Sequence, residues 1–365
     1  MSENTSDASK LYAISINYLF DGMIVQEDIY NADASLLLVK NGALLDAEAI
    51  ERIKNINARR DTIHVSSNTY RTLMDKNPPY KIESRRDLED AIGYGAVKDK
   101  TFELLDEIAS KKTVQQEALY SVSAELSHRL EVTSPSTIIS LINALAPVDE
   151  YLQRHCINVS LLNGLIGRWL GLSKRDVDKL ILVGLLHDCG KALVPPKVLN
   201  APRTLTVVEF EVIKMHPVYT YELLTGFPEP LRLASRGHHE KASGAGYPDR
   251  LSLEKIPFEA CITAVSDIFD AMVSQRAYKK ARSPFTIMSV LNKLGNSDLD
   301  ARLVNIFNRY MPVELVDKPV MMSDGSIGVV RAFDPDDIEY PMIEVNGRIV
   351  KSNETLFCTS MYTKD

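Results

Sequence analysis

Seven histidines occur in the chain, and five of them (His155, His187, His216, His238 and His239) fall between residues 155 and 239. Imidazole is the commonest side-chain metal ligand. His64 follows a strand-like Ile63 and His128 sits in a polar helical stretch, so both read as structural or surface residues. His187-Asp188 closes the most apolar run of the chain, L-I-L-V-G-L-L-H-D-C-G-K. A carboxylate at the end of a buried helix needs a partner, and a metal ion is the largest local charge available. Taken alone, the pair is better explained by a His on the negative end of a helix with an Asp in the following turn. Its company alters that reading. Asp267 and Asp270 interrupt the apolar run C-I-T-A-V-S-D-I-F-D-A-M-V, and two carboxylates three residues apart share a helix face. Five inward imidazoles and two inward carboxylates are satisfied together by two hard or borderline metal ions. Glu240, next to His239, is a candidate to orient a ligand imidazole, or else a plain surface carboxylate.

The elements that must position these groups are helical. Apolar spacing predicts helices over Thr137–Leu145, Glu150–Leu170, Lys174–His187, Val207–Met215, Tyr219–Thr225, Pro230–His239, Phe258–Ser274 and Pro284–Lys293. Ser173 and Thr206 read as N-caps, and Gly171 and Gly190 as helix stops. Leu180–Leu186 is apolar on all sides, which places that helix at the centre. Residues 86–133 read as a helical connector. Its stripe of Leu104, Leu105, Ile108, Leu119, Val122, Leu126 and Leu130 suits a core or a dimer seam, and a homodimer is one expectation. Residues 11–76 read as a small α+β module, with strand character at Met23–Tyr30, Leu36–Lys40 and Thr62–Ser66 and helical spacing at Asp46–Asn55. Residues 311–365 read as a separate β-rich appendage, with strands at Pro319–Met322, Ile327–Ala332 and Met342–Val345. Ser323-Asp324-Gly325 and Asn346-Gly347 read as its hairpin turns. The expected fold is therefore mainly α: a helical bundle over 134–310 carrying a binuclear metal site, with small α+β and β-rich pieces at its ends.

Composition narrows the partners. The 365 residues are 45% hydrophobic and 25% charged, with a net charge of −7. That balance suits globular domains and argues against a polymer nucleic-acid binder, which relies on clustered Lys and Arg. No apolar stretch approaches the ~20 residues that span a bilayer, and M-S-E-N-T-S-D-A-S-K has no apolar signal core. A cytoplasmic protein is the expectation. Cys156, Cys189, Cys261 and Cys358 form no C-x-x-C pair, so neither a zinc site nor a disulfide framework is suggested.

With these residues in view, the segment from about 145 to 300 resembles the HD-GYP domain, a branch of the HD phosphohydrolase superfamily. The matching pieces are H-C-I-N-V at His155, L-L-H-D-C-G-K at 185–191, V-P-P-K-V-L-N at 194–200 and L-T-V-V-E-F at 205–210. K-M-H-P at 214–217, H-H-E at 238–240, G-A-G-Y-P at 244–248, S-D-I-F-D-A-M at 266–272 and R-A-Y-K at 276–279 follow in the family's order. The resemblance implies a helical bundle with a two- or three-metal centre, usually iron or manganese, that hydrolyses cyclic di-GMP to pGpG and often onward to GMP. It implies that His155, His187 and Asp267 hold one metal, that His216, His238 and His239 hold the other, and that Asp188 bridges them. Lys191 would contact one substrate phosphate, Arg276 and Lys279 the second. Gly246, Tyr247 and Pro248 match the GYP loop, which borders the site and is linked to signalling partners.

This chain departs from the family pattern in four places. Ser243 stands where the loop usually has Asp, Tyr151 where three-metal members have Glu, Ala277 where R-P-Y-K has Pro, and Val273 where Thr is usual. Two metals are therefore expected, and no ligand is lost. Two alternatives stay open: a degenerate domain that binds nucleotide or a signalling partner without turnover, and a hydrolase of another cyclic dinucleotide.

Overall fold

The structure is a computed structural model. It describes residues 11–16, 19, 21–31, 35–55, 62–66, 83–144, 151–201, 203–274 and 282–363. In chain order the elements begin with β1 (Leu11–Ser15), β2 (Ile29–Tyr30), β3 (Leu37–Val39), α1 (Ala47–Asn55) and β4 (Thr62–Ser66). Next come α2 (Arg85–Ile92), α3 (Tyr94–Lys111), α4 (Gln116–Val132), α5 (Pro135–Asn143), α6 (Tyr151–Trp169), α7 (Lys174–Leu186) and a 3-10 turn at Cys189–Leu193. Then follow α8 (Pro196–Leu199), α9 (Val207–Ile213), α10 (His216–Leu223), α11 (Glu229–Arg236), α12 (Phe258–Val273), α13 (Pro284–Gly295) and α14 (Ala301–Tyr310). The last strands are β5 (Pro319–Met322), β6 (Ile327–Ala332), β7 (Met342–Val345), β8 (Arg348–Lys351) and β9 (Cys358–Met361). Contacts divide the chain into two units, residues 1–84 with 309–365, and residues 85–308.

The first unit joins the two ends of the chain. Strands β1 and β4 pair antiparallel, as do β2 and β3, and a five-stranded antiparallel sheet runs β8-β7-β6-β5-β9. Asn346 and Gly347 both take positive φ between the paired Val345 and Arg348, the conformation a two-residue hairpin turn requires. The sequence separates 11–76 from 311–365, whereas Ala332 is buried in one core with Met23, Val25, Leu45, Ile53 and Val65. Strands this short bury too little alone. Arg331, with a fully buried side chain, lies 2.8 Å from Asp317 and 2.7 Å from Glu344. Desolvation outweighs the guanidinium beside it and lifts Asp317 to about 6.

The second unit is helical. The expected connector splits into α2, α3 and α4, broken where Gly93 and Lys112 adopt left-handed φ. Leu104, Ile108, Leu119, Val122, Leu126 and Leu130 are buried within this unit, so the stripe is spent on the core. Helices α6 and α7 pack closely because Gly184 has no Cβ; one would sit 2.7 Å from Ser160 Cα. Asn163 ties the pair together, donating to the Leu180 carbonyl at 3.1 Å and to Thr263 on α12 at 2.9 Å. Ser173 caps α7, and Thr206 with Glu209 forms a capping box on α9. Gly171 ends α6 with φ of 72°. Gly190 does not end a helix. It lies in the 3-10 turn, where a Cβ would meet the His216 carbonyl oxygen at 2.1 Å. Helix α14 lies outside the helices expected from spacing. Among the described residues no helix is long and apolar enough to cross a membrane.

Removing one member of a buried ionic cluster strands the others without compensation. Arg331→Met is expected to destabilise the first unit by ~3–5 kcal/mol, read as a lower midpoint in denaturant unfolding. An unchanged midpoint would contradict a structural role for the cluster.

Candidate metal centre

Five helices deliver eight groups to one place. His155 comes from the first turns of α6. His187 caps the C-terminus of α7, with Asp188 next to it. His216 opens α10, His238 and His239 follow α11, and Asp267 and Asp270 lie on α12. All are buried or nearly so, His239 most exposed at 25% of its side chain. One nitrogen of each of four imidazoles is tied to the scaffold. The Nδ1 atoms of His187, His216 and His238 lie 2.7, 2.8 and 2.8 Å from the carbonyl oxygens of Gly184, Ile213 and Ser235. That of His155 lies 2.6 Å from Asp270 Oδ2. A carbonyl can only accept, so the Nδ1 atoms of His187, His216 and His238 donate, as that of His155 does to an ionised Asp270, and in neutral rings each Nε2 then carries a lone pair.

Those lone pairs face one another. His155 Nε2 is 3.2 Å from His187 Nε2, and His216 Nε2 is 3.2 Å from His238 Nε2. Asp188 lies between the two pairs. Its Oδ2 is 3.5 Å from His155 Nε2 and 3.4 Å from His187 Nε2, and its Oδ1 is 3.2 Å from His216 Nε2 and 3.9 Å from His238 Nε2. Oδ1 is buried and has no hydrogen-bond donor among the described residues. Asp267 adds Oδ1 at 3.1 Å from His155 Nε2 and Oδ2 at 3.8 Å from His239 Nδ1. Two donor sets result, His155/His187/Asp188 and His216/His238/His239, each within 4.8 Å. Facing lone pairs and an orphaned anionic oxygen repel unless cations sit between them, and N/O sets of this kind suit divalent transition metals. The residues present therefore fit a metal pair.

Electrostatics point the same way. Burial alone would raise Asp188, but Lys191 beside it and the His187 and His155 imidazoles hold its carboxyl well below the usual range. Asp267 is likewise held low against its burial by His155 and His239. Burial and neighbouring imidazoles push His238 far down, and burial takes His239 to about 3. Ionised carboxylates and neutral imidazoles are the state in which these groups ligate.

The other expected residues divide. Lys191 reaches Asp188 Oδ2. Arg276 and Lys279 lie outside the described residues. Tyr247 stacks on His239, with ring centroids 4.7 Å apart, and its N–H donates to the His239 carbonyl at 3.2 Å. Gly246 passes so near Lys241 that a Cβ would come within 2.4 Å of its nitrogen. Pro248 follows through a cis peptide. Glu240 does not orient an imidazole. Its carboxylate accepts from the N–H groups of Asp249, Arg250 and Leu251 at 2.6, 3.1 and 2.9 Å and so closes the loop. Ser243 donates to Asp298 Oδ1 at 2.9 Å, beside the Lys241–Asp298 ion pair. Outside the cluster, His64 bonds Glu27 at 2.8 Å and His128 is exposed.

Sequence reasoning placed Asp270 inside as a carboxylate facing the metals, whereas its oxygens go to His155 Nδ1 and Asn158. It locks His155, and it accepts from Asn158 Nδ2 at 2.7 Å. The i, i+3 spacing to Asp267 was its signal. Thr220, which donates to the His187 carbonyl at 3.1 Å and accepts from Gly190 N–H at 3.0 Å, had none.

Comparison with known proteins now decides the family. Residues 139–303 match the HD domain family. This segment is an HD domain. Over 186 residues the chain is 36% identical to "Cyclic di-GMP phosphodiesterase response regulator RpfG" of Xanthomonas campestris pv. campestris, covering 50% of this chain and 49% of that one. It is 32% identical over 154 residues to "3'3'-cGAMP-specific phosphodiesterase 2" of Vibrio cholerae, covering 41% of this chain and 30% of that protein. The chain thus spans about half the length, or less, of these curated relatives. Its fold is similar to that of Bd1817, a HDG"Y"P protein from Bdellovibrio bacteriovorus, with a TM-score of 0.50 and 14% identity over 83% of this chain and 99% of that one.

Two predictions follow from the HD domain's geometry. Asp270→Ala frees the His155 ring and is expected to weaken divalent-metal binding ~10–100-fold in a folded protein, measured by metal titration; parent-like affinity would show that the carboxylate does not orient His155. Ser243→Asp restores the family residue but sets it against the Asp298 carboxylate. It should lower stability by up to ~1 kcal/mol through the lost hydrogen bond, and a raised melting temperature would contradict this.

Proposed function

We propose that the HD domain is a two-metal phosphodiesterase that hydrolyses cyclic di-GMP to pGpG and then GMP. The observation that carries this is Asp188, which presents one oxygen to each of two imidazole sets whose Nε2 lone pairs converge. His155, His187 and Asp267 would hold one ion, His216, His238 and His239 the other, and Asp188 both. Iron or manganese suits this mixed set. When bound, two such ions supply charge neutralisation and a water of lowered pKa, which attack on an anionic diester demands.

The chain's own residues supply the rest. Neutral imidazoles leave the centre net positive toward phosphate. Lys191, beside Asp188, is placed to donate to a non-bridging phosphate oxygen. Arg276 and Lys279 are assigned to the second phosphate on the resemblance alone. The Tyr247 ring packs against His239 at the edge of the centre. The name of RpfG supports cyclic di-GMP as substrate, and that of the Vibrio cholerae relative makes 3'3'-cGAMP the second candidate. Binding without turnover was suggested by Ser243, yet that side chain touches Asp298 and no ligand. A cytoplasmic setting fits the four free, buried cysteines. A signalling partner at Gly246–Pro248 and a homodimer complete the reading, the dimer without the connector stripe that first suggested it.

The test is product formation from cyclic di-GMP by protein loaded with Fe(II) or Mn(II) without oxygen. Asp188→Ala or His187→Ala should cost at least ~10²-fold in rate, since each removes a ligand from the shared centre. Turnover retained after metal is lost would overturn the assignment.

A further inference from the structure

A cleft of about 630 Å³ opens between α9 and the loop 244–250, a size usual for small-molecule sites. Phe210, Glu211, Lys214, Tyr247, Lys241 and Arg250 are among its walls. Lys214 Nζ lies over both the Phe210 and the Tyr247 rings, 5.3 and 5.6 Å from their centroids, so the ammonium stands where the two rings meet. The same Nζ is 2.7 Å from Glu211 Oε1. Phe210 is 47% exposed although it is a large apolar ring. The Tyr247 ring also stacks on His239. The Tyr247 ring therefore lies between the Lys214 side of this cleft and His239.

We propose that this cleft seats a guanine base of the substrate and that Glu211 and Lys214 read its edge. The inference rests on the phosphodiesterase reading and adds the source of its specificity. A purine offers a flat π-face, which the exposed Phe210 ring can cover. The Watson–Crick edge of guanine presents an acceptor, O6, beside two donors, N1–H and N2–H. The Lys214–Glu211 pair presents the complement, an ammonium donor beside a two-oxygen acceptor. Adenine presents the reverse order, a donor at N6 and an acceptor at N1, which would set a lone pair against the carboxylate. Sites that bond a polar edge reject an analogue lacking it far more strongly than apolar pockets reject a methylene. Lys241 is held by Asp298, and Arg250 keeps the rim positive toward the sugar–phosphate ring.

The experiment compares cyclic di-GMP with cyclic di-AMP on the full chain, by equilibrium binding to metal-free protein and by kcat/KM with Mn(II) loaded. Glu211 is exposed, so Glu211→Gln leaves folding intact. It should lower cyclic di-GMP affinity about tenfold, the loss of a charged hydrogen bond, and shrink the preference over cyclic di-AMP by a similar factor. Phe210→Ala should weaken both ligands together. A preference ratio unchanged in Glu211→Gln, or no preference in the parent, overturns the base-reading proposal while leaving the phosphodiesterase intact. Guanine-selective binding without hydrolysis by the parent would sink the phosphodiesterase reading and uphold the cleft. Neither binding nor hydrolysis of either dinucleotide would overturn both.

Discussion

A buried carboxylate facing lone pairs is the constraint around which the helical unit is built. Asp188 sits between two imidazole pairs, His155/His187 and His216/His238, whose Nδ1 atoms are tied to carbonyls or to Asp270. In water such groups would scatter. Here the backbone enforces their approach, and the cost of holding them together is offset when cations enter. The arrangement is worse than an apolar core without an ion and much better with one, so folding and metal binding are coupled.

The surrounding helices are shaped to keep that approach. Gly184 lets α7 lie against Ser160 of α6, and Gly190 lets the turn after Asp188 pass against the His216 carbonyl. Both glycines allow backbone approaches that no Cβ permits. Asp270 and Asn158 hold the ring of His155 from the far side. Glu240 and Asp298 pin the two ends of the loop that carries Tyr247. The tyrosine then has two neighbours, His239 and the cleft beside Phe210.

The clustered imidazoles and carboxylates were legible in the sequence because such groups stand out in apolar helical runs. Their anchors were not, because three of the four Nδ1 partners are backbone carbonyls, which every residue possesses. Glu240 misled for a related reason: adjacency to His239 suggested contact, while its side chain turned to amides nine to eleven residues on. Hairpin chemistry at Asn346-Gly347 was readable locally. The union of the two chain ends was not, since Ala332 meets Met23 and Val25 only across the whole helical unit. The fold of the helical unit was thus readable from periodicity, and its partition from the rest was not.

The central claim is that two metal ions share Asp188. Anomalous diffraction from crystals grown with Mn(II), recorded at the metal edge, tests it directly. The account predicts two peaks, one against each oxygen of Asp188, the first near His155, His187 and Asp267 and the second near His216, His238 and His239. No peak, or a single peak that leaves either imidazole set unligated, would contradict it.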